Sequence, residues 1–308
     1  MTYLDHSAST PVAHRAILLL PLLVTLRAVA AEPPAPAPAA QPTVVFMTDF
    51  GQRDDSVAIC KGVMLGLEPR LRIIDLSHDV VPYSVLDGAR FLAGTAPYYP
   101  AGTVFSTVID PGVGSERRAI VARTKRGQFF VLPDNGLLTL LERQEGLAEV
   151  RNITNSAWFF KPELSSTFHG RDVFAPVAAR IARGDDWTQV GPPITDWQRL
   201  EIPEVKLTET ALHGTVLAIE HPYGNLVTNA DGGLLSKLGY QRGDTTRVTF
   251  GKGRELRLPF VTTFSDVPVG KPLMYVDSRG RVAFAVNQGS FAQANGIQPL
   301  STFVLRKK

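Results

Sequence analysis

Residues 43–76 read TVVFMTDFGQRDDSVAICKGVMLGLEPRLRIIDL, and their pattern decides the fold. Residues 43–48 are a short apolar run rich in β-branched side chains, which predicts a buried strand. A polar loop, DFGQRDD, follows. Residues 56–67 place Val57, Cys60, Lys61 and Met64 at helical spacing, and Pro69 stops the helix. Residues 71–76 predict a second strand. The same grammar continues outward. Strands are expected at 103–109, 119–124, 128–132 and 149–154, and helices at 86–96, 136–143 and 171–183. Strands alternating with helices predict an α/β sheet with helices on both faces.

The character changes near residue 191. GPPITDWQRLEIP (191–203) is a proline-rich connection. Beyond it, short strands are expected at 214–219, 225–228, 246–250, 257–258, 273–276, 282–286 and 302–305, separated by Gly, Asp and Asn turns. That spacing predicts a smaller all-β sandwich or barrel. The expected organisation is an N-terminal α/β domain over 43–198 and a C-terminal β domain over 199–308.

The first residues differ from both. Arg15 precedes an apolar run over 16–26, too short for a membrane-spanning helix, which needs about 20 residues. Ala28-Val29-Ala30 follows as a small-x-small cleavage pattern. Residues 1–30 therefore read as a secretory signal peptide, which predicts an exported, periplasmic or secreted protein with no membrane span after cleavage; the alternatives are an uncleaved N-terminal anchor, or a cytoplasmic protein if the segment is not a working signal. Residues 31–42, AEPPAPAPAAQP, read as an extended alanine/proline linker.

Composition narrows the function. Of 308 residues, 44% are hydrophobic and 20% charged, which fits a globular protein and argues against disorder or a multi-span membrane protein. Lys plus Arg total 32 against 29 Asp plus Glu, and no run of five basic residues occurs, so nucleic acid is a poor partner. The single cysteine, Cys60, rules out an internal disulfide framework and a zinc ribbon.

In an open α/β sheet, ligands bind outside the carboxyl ends of strands. Four polar segments stand there. Asp49 lies just past the first strand, where a carboxylate can accept two hydrogen bonds from a vicinal diol. Asp54, Asp55 and Ser56 follow, and Asp54 reads equally as a helix cap or a ligand contact. The DFG tripeptide lacks the other protein-kinase motifs. Asp110-Pro111-Gly112-Val113-Gly114-Ser115-Glu116-Arg117-Arg118 again follows a strand directly, either as a tight turn or as a site whose glycines admit a ligand. Asp134 or Asn135 reads as the cap of the helix at 136–143. His169, before the helix at 171–183, is either a general base or a structural histidine. No second His/Cys cluster supports a metal, and His78-Asp79 stands isolated. In the β domain, Tyr223 and Asn225 could stack on and read a base, and Ser278 with Arg279 could hold a carboxylate, although both segments also suit plain turns.

Taken in order, TDFG (48–51), DDSVAICKG (54–62), IDPGVGSERR (109–118), PDNGLL (133–138), TFHGRD (167–172), HPYGNLVTN (221–229) and DSRG (277–280) resemble the S-adenosyl-L-methionine (SAM) hydroxide adenosyltransferase family, related to the fluorinase and chlorinase enzymes. The resemblance spans about residues 43–305. It implies hydrolysis of SAM to adenosine and L-methionine by attack of water or hydroxide on the ribose C5′, with SAM as substrate and no cofactor or metal. It also implies a homotrimer whose active sites lie between one subunit's N-terminal domain and the next subunit's C-terminal domain. Carried over by position, the hydrolase triad falls on Asp110, Arg117 and His169, and the ribose-diol carboxylate on Asp49. Asp54, Ser56, Glu220, Ser278 and Arg279 fall near the methionine moiety, and Tyr223, Asn225 and Phe264 on the adenine side. Phe168 joins the substrate-binding set, as does Tyr83, which stands where the halogenases have Trp. Glu220 stands where they have Asp. The competing expectations are a SAM-dependent halogenase and a non-catalytic exported nucleoside- or SAM-binding protein.

Overall fold

A computed structural model describes residues 41–253 and 255–308. The expected signal peptide and nearly all of the linker lie outside the described residues. Seven strands form the first sheet: β1 (Thr43–Thr48), β2 (Arg72–Ser77), β3 (Val104–Val108), β4 (Ala119–Thr124), β5 (Phe129–Pro133), β6 (Leu147–Asn152) and β7 (Pro193–Ile194). Their order is β2-β1-β3-β5-β4-β6-β7. β2, β1, β3 and β5 run parallel, whereas β4, β6 and β7 add antiparallel pairings.

The helices that flank this sheet are α1 (Ser56–Leu67), α2 (Val85–Thr95), α3 (Thr139–Glu145) and α4 (Ala175–Arg183). Alternate residues of β1 serve opposite faces, as the two-residue period of a strand requires. Val44 and Phe46 pack with Val57, Cys60 and Met64 of α1 and Val177 and Ala178 of α4. Val45 and Met47 pack with Leu92 of α2 and Leu141 of α3. Both faces are covered, which is why β1 is apolar at consecutive positions. From β1 the chain crosses by α1 to β2 on one side, then by α2 to β3 on the other. The carboxyl ends of β1 and β3 therefore flank a switch point of the sheet.

The remaining strands form the second sheet: β8 (Lys206–Leu207), β9 (Ala211–Glu220), β10 (Asn225–Asp231), β11 (Thr245–Phe250), β12 (Glu255–Pro259), β13 (Pro272–Val276), β14 (Arg281–Val286) and β15 (Thr302–Arg306). The order is β12-β11-β15-β9-β10-β14-β13, with β8 beside β9. A bridge between Phe260 and Met274 brings the two ends together, so the sheet rolls into a barrel-like form. Phe250, Phe284, Phe291 and Phe303 fill it, with short helices α5 (Leu234–Lys237) and α6 (Phe291–Asn295) alongside.

Three local expectations change. The helix expected from Gly136 begins at Thr139, and neither Asp134 nor Asn135 caps it. The Asp134 carboxylate instead accepts from Arg118 Nε at 2.9 Å and from the Gln198 amide at 2.7 Å, while Asn135 donates Nδ2 to the Ile109 carbonyl at 2.9 Å. The proline-rich connection at 191–203 contributes a short strand of its own, β7, to the first sheet, and Arg199 pairs with Glu142 of α3 at 2.8 Å. The helix expected at 171–183 starts as a π-helical turn over Gly170–Phe174 before α4, a local widening often found at functional sites.

Candidate active site

Asp110 leaves the end of β3 and turns at once. The Val113 amide donates to the Asp110 carbonyl at 3.2 Å, and Ser115 donates both its amide (3.1 Å) and its hydroxyl (2.6 Å) to the Gly112 carbonyl. Gly114 sits at φ +78 against the Ser166 carbonyl, with no room for a Cβ. This tight turn folds Arg117 back over Asp110. Arg117 Nε lies 3.0 Å from each carboxylate oxygen, and Nη2 donates to Oδ2 as well. The side chains of Asp110 and Arg117 are 4% and 10% exposed, so this forked ion pair is largely out of solvent. The guanidinium also stacks over the buried Phe174 ring at 5.3 Å.

Arg117 Nη2 lies 2.8 Å from His169 Nδ1. A guanidinium can only donate, and it stays charged at any working pH, so Nδ1 must accept. The imidazole is then neutral with its proton on Nε2. Burial, and next the positive charge of Arg117, push the His169 pKa below its ordinary value of 6.5. The loop before His169 is pinned by Asp172, which is fully buried, accepts from the Ser165 amide at 2.8 Å and pairs with Arg171 at 2.6 Å. Burial pushes the Asp172 carboxyl up, but Arg171 and that amide outweigh it and hold it below the usual carboxylate range.

Asp49 leaves β1 beside this triad. Its Oδ2 accepts from the Tyr83 amide at 2.9 Å. Tyr83 takes φ +66, a conformation that a bulky residue rarely adopts and that concentrates at functional sites, and the residue is 73% exposed. Asp49, Tyr83, Asp110, Phe168 and His169 together line one cleft of about 360 Å³. Phe50 forms part of its wall, edge-on to Phe168 with ring centroids 6.1 Å apart.

The other sequence-derived residues do not join this cleft within the chain. Asp54 closes a local turn, its Oδ1 accepting from the Ser56 amide at 3.0 Å, while the N-cap position of α1 is Asp55, which makes no side-chain cap hydrogen bond. Glu220, Tyr223, Asn225 and Phe264 line a separate hollow on the β domain, of about 690 Å³. Ser278 and Arg279 face a third hollow against α2, where a Cβ on Gly94 would lie 2.6 Å from Arg279 Cζ. Among the described residues, no group of His, Cys, Asp and Glu side chains is arranged to hold a metal ion, and no helix is long and apolar enough to cross a membrane. Cys60 is buried under α4, and that burial pushes its thiol up to about 12, so it is an inert core residue. Sequence reading passes over Phe174, Asp172 and Thr48. Thr48 and Asp172 lie inside motifs and Phe174 just beyond one, but nothing in their identity shows that they carry a neighbour.

The chain also matches known proteins. A model of the SAM hydroxide adenosyltransferase N-terminal domain matches residues 44–191, and a model of the C-terminal domain of the same family matches residues 214–304. The chain is 41% identical over 268 residues to a Salinispora tropica protein named (R)-S-adenosyl-L-methionine hydrolase, covering 84% of this chain and 95% of the relative. It is 35% identical over 261 residues to a Thermus thermophilus protein of the same name, covering 83% and 96%. An Actinoplanes fluorinase is 31% identical over 292 residues, covering 86% and 98%. A solved structure of an uncharacterized conserved protein from Thermotoga maritima superposes with a TM-score of 0.80 at 35% identity, covering 85% of this chain and 99% of that one.

Proposed function

From the premise that this chain belongs to the SAM hydroxide adenosyltransferase family, we propose that it hydrolyses SAM to adenosine and L-methionine. The observation that carries the reading is the single guanidinium of Arg117, which ties Asp110 and His169 together at the end of β3, beside Asp49. Water attacks C5′, a carbon–oxygen bond forms, the carbon–sulfur bond breaks, and its electron pair neutralises the sulfonium. Methionine leaves uncharged, so the reaction needs no acid. What it needs is one water held in line and a place for its proton.

The geometry supports a division of these tasks. His169, neutral with its proton on Nε2, can donate a hydrogen bond to the attacking oxygen but has no lone pair left with which to take its proton. Asp110 takes the proton. Arg117 brings two N–H groups to the carboxylate, the Nε one shared between both oxygens, which leaves lone-pair capacity for a proton and fixes the direction in which it points. Asp49 holds the ribose hydroxyls. The same carboxylate disfavours the halide reading, because Asp110 would repel an anionic nucleophile at its own position.

Within one chain the cleft lacks adenine-side and methionine-side contacts, while Tyr223 and Phe264 stand in an open hollow, Tyr223 at 68% exposure. Two half-sites that do not meet within a chain support a ring of identical subunits, a homotrimer, in which one subunit's cleft meets the next subunit's β-domain hollow. The apolar run at 16–26 and Ala28-Val29-Ala30 support export. The relatives' names support the (R) epimer at sulfur as the substrate form to test first.

Purified chain given SAM in oxygen-18 water is expected to form adenosine and methionine in equal amounts, with the label in the adenosine. Each sulfur epimer is assayed separately. Binding without consumption would make the protein a carrier. A 5′-halo product in fluoride or chloride would make it a halogenase.

A pH profile tests the protonation state. Protonating His169 puts a proton on Nδ1, against a donor that cannot turn acceptor, and breaks the triad. With the pKa lowered, kcat/KM is expected to stay flat as pH falls through 6.5 and to drop only below it. An acid limb centred at or above that value would mean that the active form is not the one described.

A further inference from the structure

We propose that buried His78 is a positioning residue for the ribose-binding Asp49, a proposal that rests on the assignment of Asp49 given above. His78 follows β2, is 2% exposed and packs edge-on against Phe46, with ring centroids 5.0 Å apart. It grips the loop after β1 at two points. Its Nδ1 lies 2.9 Å from the hydroxyl of Thr48, the residue before Asp49. Its carbonyl accepts from the amide of Gly51, two residues after Asp49, at 2.7 Å. The Thr48 hydroxyl also accepts from the Phe50 amide at 3.2 Å. The two residues between these grips are Asp49 and Phe50, and both line the cleft.

The far edge of the imidazole faces a carboxylate. Nε2 lies 3.1 Å from Asp75 Oδ1 without the angle of a good hydrogen bond, and Asp75 pairs with Lys61 of α1 at 2.7 Å. A chain of polar groups thus runs from α1 through Asp75, His78 and Thr48 to the loop that aims Asp49. An apolar side chain would fill the space behind Thr48 as well as a ring does, but it could not fix the loop's rotation. A buried polar pair is costly to bury and specific in direction, and here the direction it fixes is that of the carboxylate.

The test reads that direction through the ligand. Adenosine and 2′,3′-dideoxyadenosine differ only in the diol that Asp49 would hold. The full wild-type chain is expected to bind adenosine at least about tenfold tighter, as for hydrogen bonds to a charged acceptor. Thr48→Val, which keeps the shape of a fully buried side chain, and His78→Ala are both expected to shrink that preference to about two- to threefold. His78→Asn can return an acceptor near the Nδ1 position and is expected to restore most of the preference. In an Asp49→Ala background, Thr48→Val is expected to change nothing further. A preference that stays at the wild-type ratio in Thr48→Val and His78→Ala, even with a lowered melting temperature, would make His78 a core residue only and overturn the proposal. No preference in the wild-type chain would remove the role of Asp49 itself, and the proposal with it.

Discussion

Asp110→Asn is expected to lower the turnover of SAM by about 10²–10⁴-fold while leaving the dissociation constant of SAM within a few-fold of wild type. The side chain keeps its size and one oxygen for Arg117, so the turn from Asp110 to Arg117 has little reason to move. What disappears is the lone pair that takes the proton of the attacking water. An amide nitrogen facing Arg117 would add donors where the guanidinium already donates, so the asparagine is driven to turn its oxygen toward Arg117 and its NH₂ toward the water. That orients the water with the wrong polarity. The residual rate comes from alignment alone, which the sulfonium leaving group makes appreciable. Single-turnover kinetics with calorimetric binding separate the two effects. A variant with undiminished turnover would remove Asp110 from proton transfer and leave the cleft without a base, because His169 is committed to Arg117 through Nδ1.

Much of the first layer was readable from residues 43–76 because β1 is buried on both faces, so every position carries the apolar signal. The strand-end rule then pointed to Asp49 and Asp110 without further help. The sequence did less well wherever a polar group is consumed by a partner far along the chain. Asp134 looks like a helix cap but holds Gln198, 64 residues away. His78 looks isolated because its partner Thr48 lies 30 residues upstream, on a neighbouring strand. The π-helical turn at Gly170–Phe174 has no pattern of its own, yet it contributes Phe174, whose ring lies under the Arg117 guanidinium. The motifs pick out candidate residues. Three-dimensional contacts decide which of them share a cleft, and here they divide the set between the cleft, the β-domain hollow and a third hollow at Ser278 and Arg279, with Asp54 in none of them.

That separation yields the second large effect. Take one chain bearing Asp110→Asn and another bearing Tyr223→Ala with Phe264→Ala. The first has a dead cleft and an intact β-domain hollow, and the second has the reverse. Tyr223 and Phe264 are both exposed, so their removal spares the β-domain core. Loss of two stacking aromatics costs roughly 1–3 kcal/mol each, about 10²-fold or more together. Each chain alone is therefore expected to be nearly inactive. If one subunit's cleft is completed by its neighbour's hollow, co-expression lets an intact cleft from the second chain meet an intact hollow from the first. Random assembly of a cyclic ring makes about one interface in four fully wild type, so the mixture is expected to regain about a quarter of wild-type activity. A site completed within one chain gives no such rescue, because each chain carries its own lesion wherever it goes. Activity that stays at the level of the two parents, with mixed rings shown to form, would place both halves of the site in a single subunit and require the two hollows to close on one another.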